Sequence, residues 1–236
     1  MEKICRVRHL GLIPYQQAWD YQNEIAEQVA AGQRTDTLLL LEHPHTYTIG
    51  RRGRSENLLW SQKTLAERGV TVHWVDRGGD ITYHGPGQIV GYPILQLAPI
   101  GWNNDRIPQA DFVGYIRKLE DVLIGTLAKF RLEGLRIKGK TGVWVKDLQD
   151  NRLMKIASIG VKVDSRGVSR HGFALNINPD MEYWQGINPC GFSQVRMTSM
   201  SEWFDQPVDI IRVSGVIVNC FSEVFNCRMI TSADTG

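Results

Sequence analysis

The sequence predicts an α+β fold built as one domain over residues 1–236. Three observations predict it. Strand-length apolar or alternating runs follow one another across hairpin turns, as an antiparallel sheet requires. Helical stretches are interspersed among them without the strict strand–helix alternation of a doubly wound sheet. No Pro/Gly/Ser-rich boundary, internal repeat or low-complexity linker divides the chain.

The elements read as follows. Cys5 falls in a first strand. From Ile13-Pro14 to about Ala31, Tyr15, Ala18, Trp19, Gln22, Ile25, Ala26 and Val29 recur at helical spacing, and Gly32 ends the helix. Thr37–Leu41 is a buried strand, His43-Pro44 turns the chain, and Tyr47–Ile49 is a second short strand. Ser61 caps a short helix that stops at Gly69. Val70, Val72 and Trp74 then alternate with Thr71 and His73 through a strand to Asp76. The glycine-rich stretch Arg77–Gln88 is expected as a loop, followed by a strand from Ile89 to Leu97. A polar loop, Pro99–Pro108, leads into a helix from about Gln109 to Phe130. Leu135–Ile137, Val143–Lys146, Leu153–Val163 and Val168–Ile177 are strands, the last three joined by hairpin turns at Asp147–Asn151 and Asp164–Gly167. Pro207 opens a last helix to about Asn226, with Cys220 inside it and Cys227 at its end.

Composition excludes several functions. At 42% hydrophobic and 22% charged residues the chain is neither disordered nor collagen-like, and its length buries a core without staples. Lys plus Arg total 27 against 25 Asp plus Glu, a net charge of +2, which argues against nucleic acid as the main partner. Cys5, Cys190, Cys220 and Cys227 form no CxxC pair and no zinc spacing, so neither a metal site nor a disulfide framework is expected. Met1–Arg6 holds no signal core, and no apolar run approaches a membrane span. The expectation is a soluble cytoplasmic protein without a membrane partner.

Four segments carry chemistry. In Arg77–Gln88, four glycines permit close backbone approach, and Arg77, Asp80, Thr82, Tyr83 and His84 among them favour a ligand-facing loop over a plain turn. It matches neither phosphate-cradling fingerprint, so no nucleotide cofactor is expected. Gly50-Arg51-Arg52-Gly53-Arg54 fits an acidic partner or phosphate and, equally, a solvated basic turn. Lys155 shares a strand face with Leu153, Ala157 and Ile159. It is either a desolvated lysine able to act as a base or an edge-strand lysine facing water. Cys190 sits in a turn between Pro189 and Gly191, which makes it the best placed nucleophile of the four cysteines, provided it has a partner.

Taken together, Arg77-Gly78-Gly79-Asp80-Ile81-Thr82-Tyr83-His84-Gly85-Pro86-Gly87-Gln88, Lys155-Ile156-Ala157-Ser158-Ile159-Gly160 and Asn188-Pro189-Cys190-Gly191 resemble the lipoyl(octanoyl) transferase family. His171-Gly172-Phe173-Ala174-Leu175-Asn176 adds to the likeness, which spans roughly residues 40 to 200. The resemblance implies a mixed, largely antiparallel sheet packed against helices, as in biotin and lipoate protein ligase catalytic domains. It implies that Cys190 carries an acyl-thioester, that Lys155 lowers its pKa, and that Arg77 to His84, Ser158 to Gly160 and Gly172 to Ala174 contact substrate. It implies transfer of an octanoyl group from octanoyl-acyl carrier protein to a lysine of lipoyl domains, in 2-oxoacid dehydrogenase complexes or the glycine cleavage H protein, with no cofactor. Acyl carrier proteins are acidic, so Arg51, Arg52, Arg54, Arg136, Lys138 and Lys140 suggest a docking surface. Three other readings compete: an ATP-dependent lipoate or biotin-type ligase of the same fold, an amidotransferase between lipoyl domains, and a non-catalytic acyl-binding protein.

Overall fold

Residues 2–98, 109–147, 150–189, 195–204 and 206–231 are described by a computed structural model, the side chains of 109–111 excepted. In chain order the elements are β1 (Lys3–Leu12), α1 (Tyr15–Ala30), β2 (Asp36–Glu42), β3 (Thr46–Ile49), α2 (Gln62–Glu67), β4 (Thr71–Trp74), β5 (Ile81–His84), β6 (Gln88–Ile94), α3 (Gln109–Lys129), β7 (Leu135–Ile137), β8 (Lys140–Lys146), β9 (Leu153–Val163), β10 (Ser169–Asn176), β11 (Arg196–Met197), α4 (Ile210–Phe225) and β12 (Cys227–Ile230).

The run Leu38–Leu41 is buried on both faces because β2 lies inside the large sheet. Leu38 and Leu40 enter a core with Leu119 and Leu123 of α3 and Ile217 and Phe221 of α4. Leu39 and Leu41 enter a second core with Ile25, Ala26 and Val29 of α1. The sheet is thus sandwiched, with α3 and α4 on one face and α1 on the other. Its order is β12-β1-β2-β6-β10-β9-β8-β7, with β11 beside β9. Pairings from β2 through β7 are antiparallel, whereas β1 pairs in parallel with β2 and β12, and β11 with β9. The expected α+β class with a mixed, largely antiparallel sheet is what forms.

Three elements differ from expectation. The stretch Arg77–Gln88 is not all loop: Ile81–His84 is a strand, β5, antiparallel to β3. Its alternation puts Ile81 and Tyr83 into a third core with Tyr47, Ile49, Leu65 and Trp184. With β4 it completes a small second sheet, β4-β3-β5. Cys227 does not end the last helix. Asn226 at φ 48° terminates α4 in the left-handed region, and Cys227 opens β12, aligned with Lys3. That helix begins at Ile210 rather than at Pro207, because the Asp209 carboxylate caps the N–H groups of Ile211 and Arg212. The Asp164–Gly167 turn forms as expected, Gly167 N–H donating to the Asp164 carbonyl at 3.0 Å. Residues 148–149 of the other turn and the whole Pro99–Pro108 loop lie outside the described residues. Among the described residues no helix is long and apolar enough to cross a membrane.

Candidate active site

Register builds the site. The hairpin of β9 and β10 aligns Ser158 with Ala174, Ile159 with Phe173 and Gly160 with Gly172. Two segments a dozen residues apart in sequence are therefore cross-strand partners on one patch of sheet. The glycine-rich turn before β5 is tied to that patch by the Gly78 N–H donating to the Val161 carbonyl at 3.0 Å. A narrow cavity of about 70 Å³ lies between them, with Tyr15, Tyr92 and His171 closing one side. Arg77, Gly79 to Thr82, His84, Lys155, Ser158 to Gly160 and Gly172 to Ala174 all line it. Gly78 lines instead a neighbouring cavity of about 500 Å³ that shares Lys155, Ile159 and Gly160 with the first. Tyr83 is turned away: its ring is fully buried in the small-sheet core and its hydroxyl bonds His45 Nδ1 at 2.9 Å.

Of the two readings left open for Lys155, the edge-strand lysine facing water does not hold. It is 5% exposed, on an internal strand, in register with Trp144 of β8 and Met197 of β11. Its ammonium nitrogen lies 5.6 Å from the centre of the Trp144 ring. Cys190 lies outside the described residues. Its neighbour in the chain, Pro189, lines the same narrow cavity as Lys155.

Several expected substrate contacts also brace the site. The Arg77 guanidinium is 7% exposed and donates to the Thr48 carbonyl at 2.7 Å, the Thr48 hydroxyl at 2.9 Å and the Gly78 carbonyl at 3.0 Å. Asp80 accepts from the Ile81 N–H and from Asn57 Nδ2, both at 2.7 Å. His84 is held by Gln88, whose Oε1 lies 2.8 Å from Nδ1. Gln88 Nε2 already donates to the Tyr83 carbonyl and to Asn176 Oδ1, so its oxygen faces His84 and Nδ1 of His84 carries the proton. Burial pushes the His84 imidazole well below its ordinary value, and the nearby His43 adds to that. His84 is therefore a neutral wall of the cavity.

Sequence reading missed a second cluster beneath this wall. The Asp76 carboxylate accepts from His171 Nε2 at 2.6 Å, Lys162 Nζ at 2.6 Å and Arg170 Nη2 at 3.0 Å. Burial opposes its ionisation, but hydrogen bonds from His171 and Lys162 outweigh burial and hold the carboxyl well below the usual range. His171 is 1% exposed at φ 56°, and burial lowers its pKa against the pull of Asp76. The one signal in the sequence was adjacency: Asp76 precedes Arg77 and His171 precedes Gly172. Among the described residues, no group of three or more His, Cys, Asp or Glu is arranged to hold a metal ion.

Arg51, Arg52, Arg54, Arg136, Lys138 and Lys140 are all exposed. Arg136 is engaged by Glu120, at 3.0 Å, and by Asp121.

Residues 14–222 match the family described as the lipoyl protein ligase A/B catalytic domain. The chain is 42% identical over 223 residues to an octanoyltransferase of Chloroflexus aurantiacus, covering 94% of this chain and 95% of that one. It is 44% identical over 235 residues to an octanoyltransferase of Acidobacterium capsulatum, covering 99% and 95%. Among solved structures it is similar to a bipartite lipoate protein ligase from Thermoplasma acidophilum, with a TM-score of 0.67 at 16% identity over 98% of this chain and 87% of that one. It is likewise similar to a lipoate-protein ligase A bound with ATP, with a TM-score of 0.64 at 14% identity over 98% and 89%. At those identities the structures speak for the fold.

Proposed function

The chain belongs to the lipoyl protein ligase A/B catalytic-domain family, and from that premise we propose a complete reaction for it. It is an acyltransferase that moves octanoyl groups in protein lipoylation, from an acyl donor to a lipoyl-domain acceptor. The donor is octanoyl-acyl carrier protein, and the acceptor is a lysine of the lipoyl domains of 2-oxoacid dehydrogenase complexes or of the glycine cleavage H protein. The whole chain acts as one catalytic domain in the reducing cytoplasm, where a thiol nucleophile stays free.

In the first step the Cys190 thiolate attacks the thioester carbon. The bond to Cys190 Sγ forms, the bond to the donor sulfur breaks, and the proton released by Cys190 ends on the departing thiol. One thioester replaces another, so no ATP is consumed. In the second step the neutral lysine amine of the acceptor attacks the same carbon. The C–N bond forms, the C–Sγ bond breaks, and a proton from nitrogen returns to the cysteine sulfur. An unperturbed cysteine, with pKa near 8.5, is only a few per cent thiolate at neutral pH. Lys155 supplies the correction, pairing with the thiolate as an ammonium or taking its proton as an amine. The tetrahedral oxyanion needs donors, and those backbone N–H groups of Ser158 to Gly160 that are not spent on the pairing with β10 are the candidates.

The acyl chain runs between the glycine-rich segment and the β9–β10 hairpin, in contact with Arg77 to Thr82, His84, Ser158 to Gly160 and Gly172 to Ala174. Each buried methylene contributes about 0.8 kcal/mol. The cavity of about 70 Å³ is smaller than the ~150 Å³ that admits benzene in an apolar core. Eight carbons therefore enter by shifting lining side chains.

The observation that carries this reading is convergence. Three blocks far apart in sequence meet around one buried lysine, and Pro189 lines the same cavity. Intact-mass measurement after mixing with octanoyl carrier protein, without ATP, tests it. Wild type gains one octanoyl group and Cys190→Ser gains none. An adduct that persists on Cys190→Ser removes the nucleophile assignment. Acylation of a lipoyl domain by free octanoate only when ATP is added would favour the ligase reading instead.

A further inference from the structure

A thioester carbon bears two arms, the acyl chain and the sulfur-linked arm of the donor, and they diverge from a trigonal centre. A site that holds both needs two spaces meeting at the reacting carbon. The narrow cavity and its larger neighbour meet that requirement. They share Gly79, Asp80, Lys155, Ile159 and Gly160, so both open on the stretch of β9 that carries the lysine.

The two spaces differ in charge. The arginine of the narrow cavity, Arg77, is buried and bound to Thr48, and among the described residues no exposed cation lines that space. The larger cavity, about 500 Å³, has an apolar wall of Phe112, Ile116, Ile159 and Val161 and two exposed cations, Arg52 and Lys140. Both cations are set by backbone structure. Gly50, Arg51 and Arg52 donate their N–H groups to the carbonyls of Asp80, Arg77 and Gly79 at 3.0–3.2 Å, which seats the arginine turn on the glycine-rich segment. Residue 50 must be glycine for this approach, since a Cβ there would stand 2.5 Å from the Gly79 carbonyl oxygen. Lys140 closes the β7–β8 hairpin opposite Ile137 and lies 5.5 Å from the Trp144 ring, the same ring that Lys155 approaches. The acid on this wall, Asp80, is already satisfied by Asn57 and the Ile81 N–H.

We propose that the larger cavity receives the donor's sulfur-linked arm and that Arg52 and Lys140 bind the phosphate at its far end. The proposal rests on the octanoyl-carrier reading above and adds to it where the donor's prosthetic group lies. An arm of amides and short alkyl segments ending in a phosphate ester matches a cavity that combines an apolar wall with two cations, because charge-assisted hydrogen bonds to phosphate are the strong ones. The acyl chain is thereby assigned to the other side of Lys155.

Two small donors test the assignment, octanoyl-S-phosphopantetheine and octanoyl-S-pantetheine, which differ only in the phosphate. Wild type is expected to prefer the phosphorylated donor in kcat/KM, and the double variant Arg52→Ala/Lys140→Ala is expected to reduce that preference about tenfold. Selectivity between octanoyl and hexanoyl donors stays where it was. A preference that survives in the double variant, or that is absent in wild type, overturns the phosphate site. A changed chain-length selectivity overturns it as well, because the larger cavity would then hold the acyl chain. Should wild type form no Cys190 adduct with either donor or with the octanoyl carrier protein, the underlying reaction falls and this proposal with it.

Discussion

Lys155 reaches the cavity because residue 142 has no side chain. A Cβ on Gly142 would stand 2.6 Å from Lys155 Cε and 2.5 Å from the Ala157 carbonyl oxygen, and the backbone there lies at φ 117°, where L side chains are rare. The register of β8 against β9 shifts between the next two residues, Val143 and Trp144. An ion cluster on α3 holds this irregularity: Glu120, fully buried, accepts the Gly142 N–H at 3.2 Å on one oxygen and takes Arg117 at 2.6 Å and Arg136 at 3.0 Å on the other. Gly142→Ala is therefore expected to displace the ammonium group and to cost about 1–3 kcal/mol of stability. Its readout is the pH dependence of Cys190 alkylation, which moves toward higher pH, as it also does in Lys155→Ala. A folded Gly142→Ala protein with the wild-type alkylation profile shows that the glycine does not set the lysine. Sequence alone left Lys155 between water and core, because alternation gives a face and not the strand's place in the sheet. Only the neighbours β8 and β11 make that face an interior one.

At the scale of elements, the site depends on keeping the β4–β5 connection against the β9–β10 hairpin, and Asp76 is the side-chain fastening that joins the Gly78–Val161 backbone bond in doing so. Its carboxylate takes three donors from the hairpin, from Lys162, Arg170 and His171. Asp76→Ala leaves those donors unpaired. Because Asp76 is 31% exposed, water replaces part of the loss, and the expected cost is about 1–2 kcal/mol rather than that of a sealed ion pair. Urea denaturation checks the stability, and steady-state kinetics should show KM for the octanoyl donor rising with little change in kcat. Asp76→Asn should fall between wild type and Asp76→Ala. A KM equal to wild type in the alanine variant would mean that the hairpin and the glycine-rich segment hold together without this carboxylate. The recognised blocks were legible because they are contiguous in sequence. The fastening was not, because its partners are about 90 residues apart and meet only when β10 pairs with β9. β5 escaped notice for a related reason: its four residues sit among glycines, and only its pairing with Tyr47 and Ile49 across β3 makes Ile81 and Tyr83 a strand face.

At the scale of the whole molecule, His43, His84 and His171 are buried with lowered pKa values, and that sets how stability responds to acid. His43, with a folded-state pKa lowered by burial to about 4, spans the Ile13 carbonyl at 2.8 Å and the Tyr92 hydroxyl at 2.7 Å. His84 and His171 are likewise buried, and burial lowers each. In the unfolded chain these imidazoles return to an ordinary value of 6.5. Between that value and the folded one the unfolded state binds more protons, so stability rises with pH there. The contribution is complete above about pH 6.5 and is lost as pH falls toward 4. Each such histidine supplies a slope of at most about 1.4 kcal/mol per pH unit. Asp76 works in the same direction at lower pH. Its depressed carboxyl stabilises the fold above the ordinary carboxylate range, and that share is lost progressively as pH falls from that range toward the lower folded value. Urea midpoints are therefore expected to fall steadily from pH 7 to pH 4.5, mostly through histidine. His43→Phe lowers stability at pH 7.5, where it deletes two hydrogen bonds, yet it should flatten the dependence by about one proton's slope. A variant whose stability falls with pH as steeply as wild type would show that His43 is not held neutral, and the acid response would then belong to the remaining histidines.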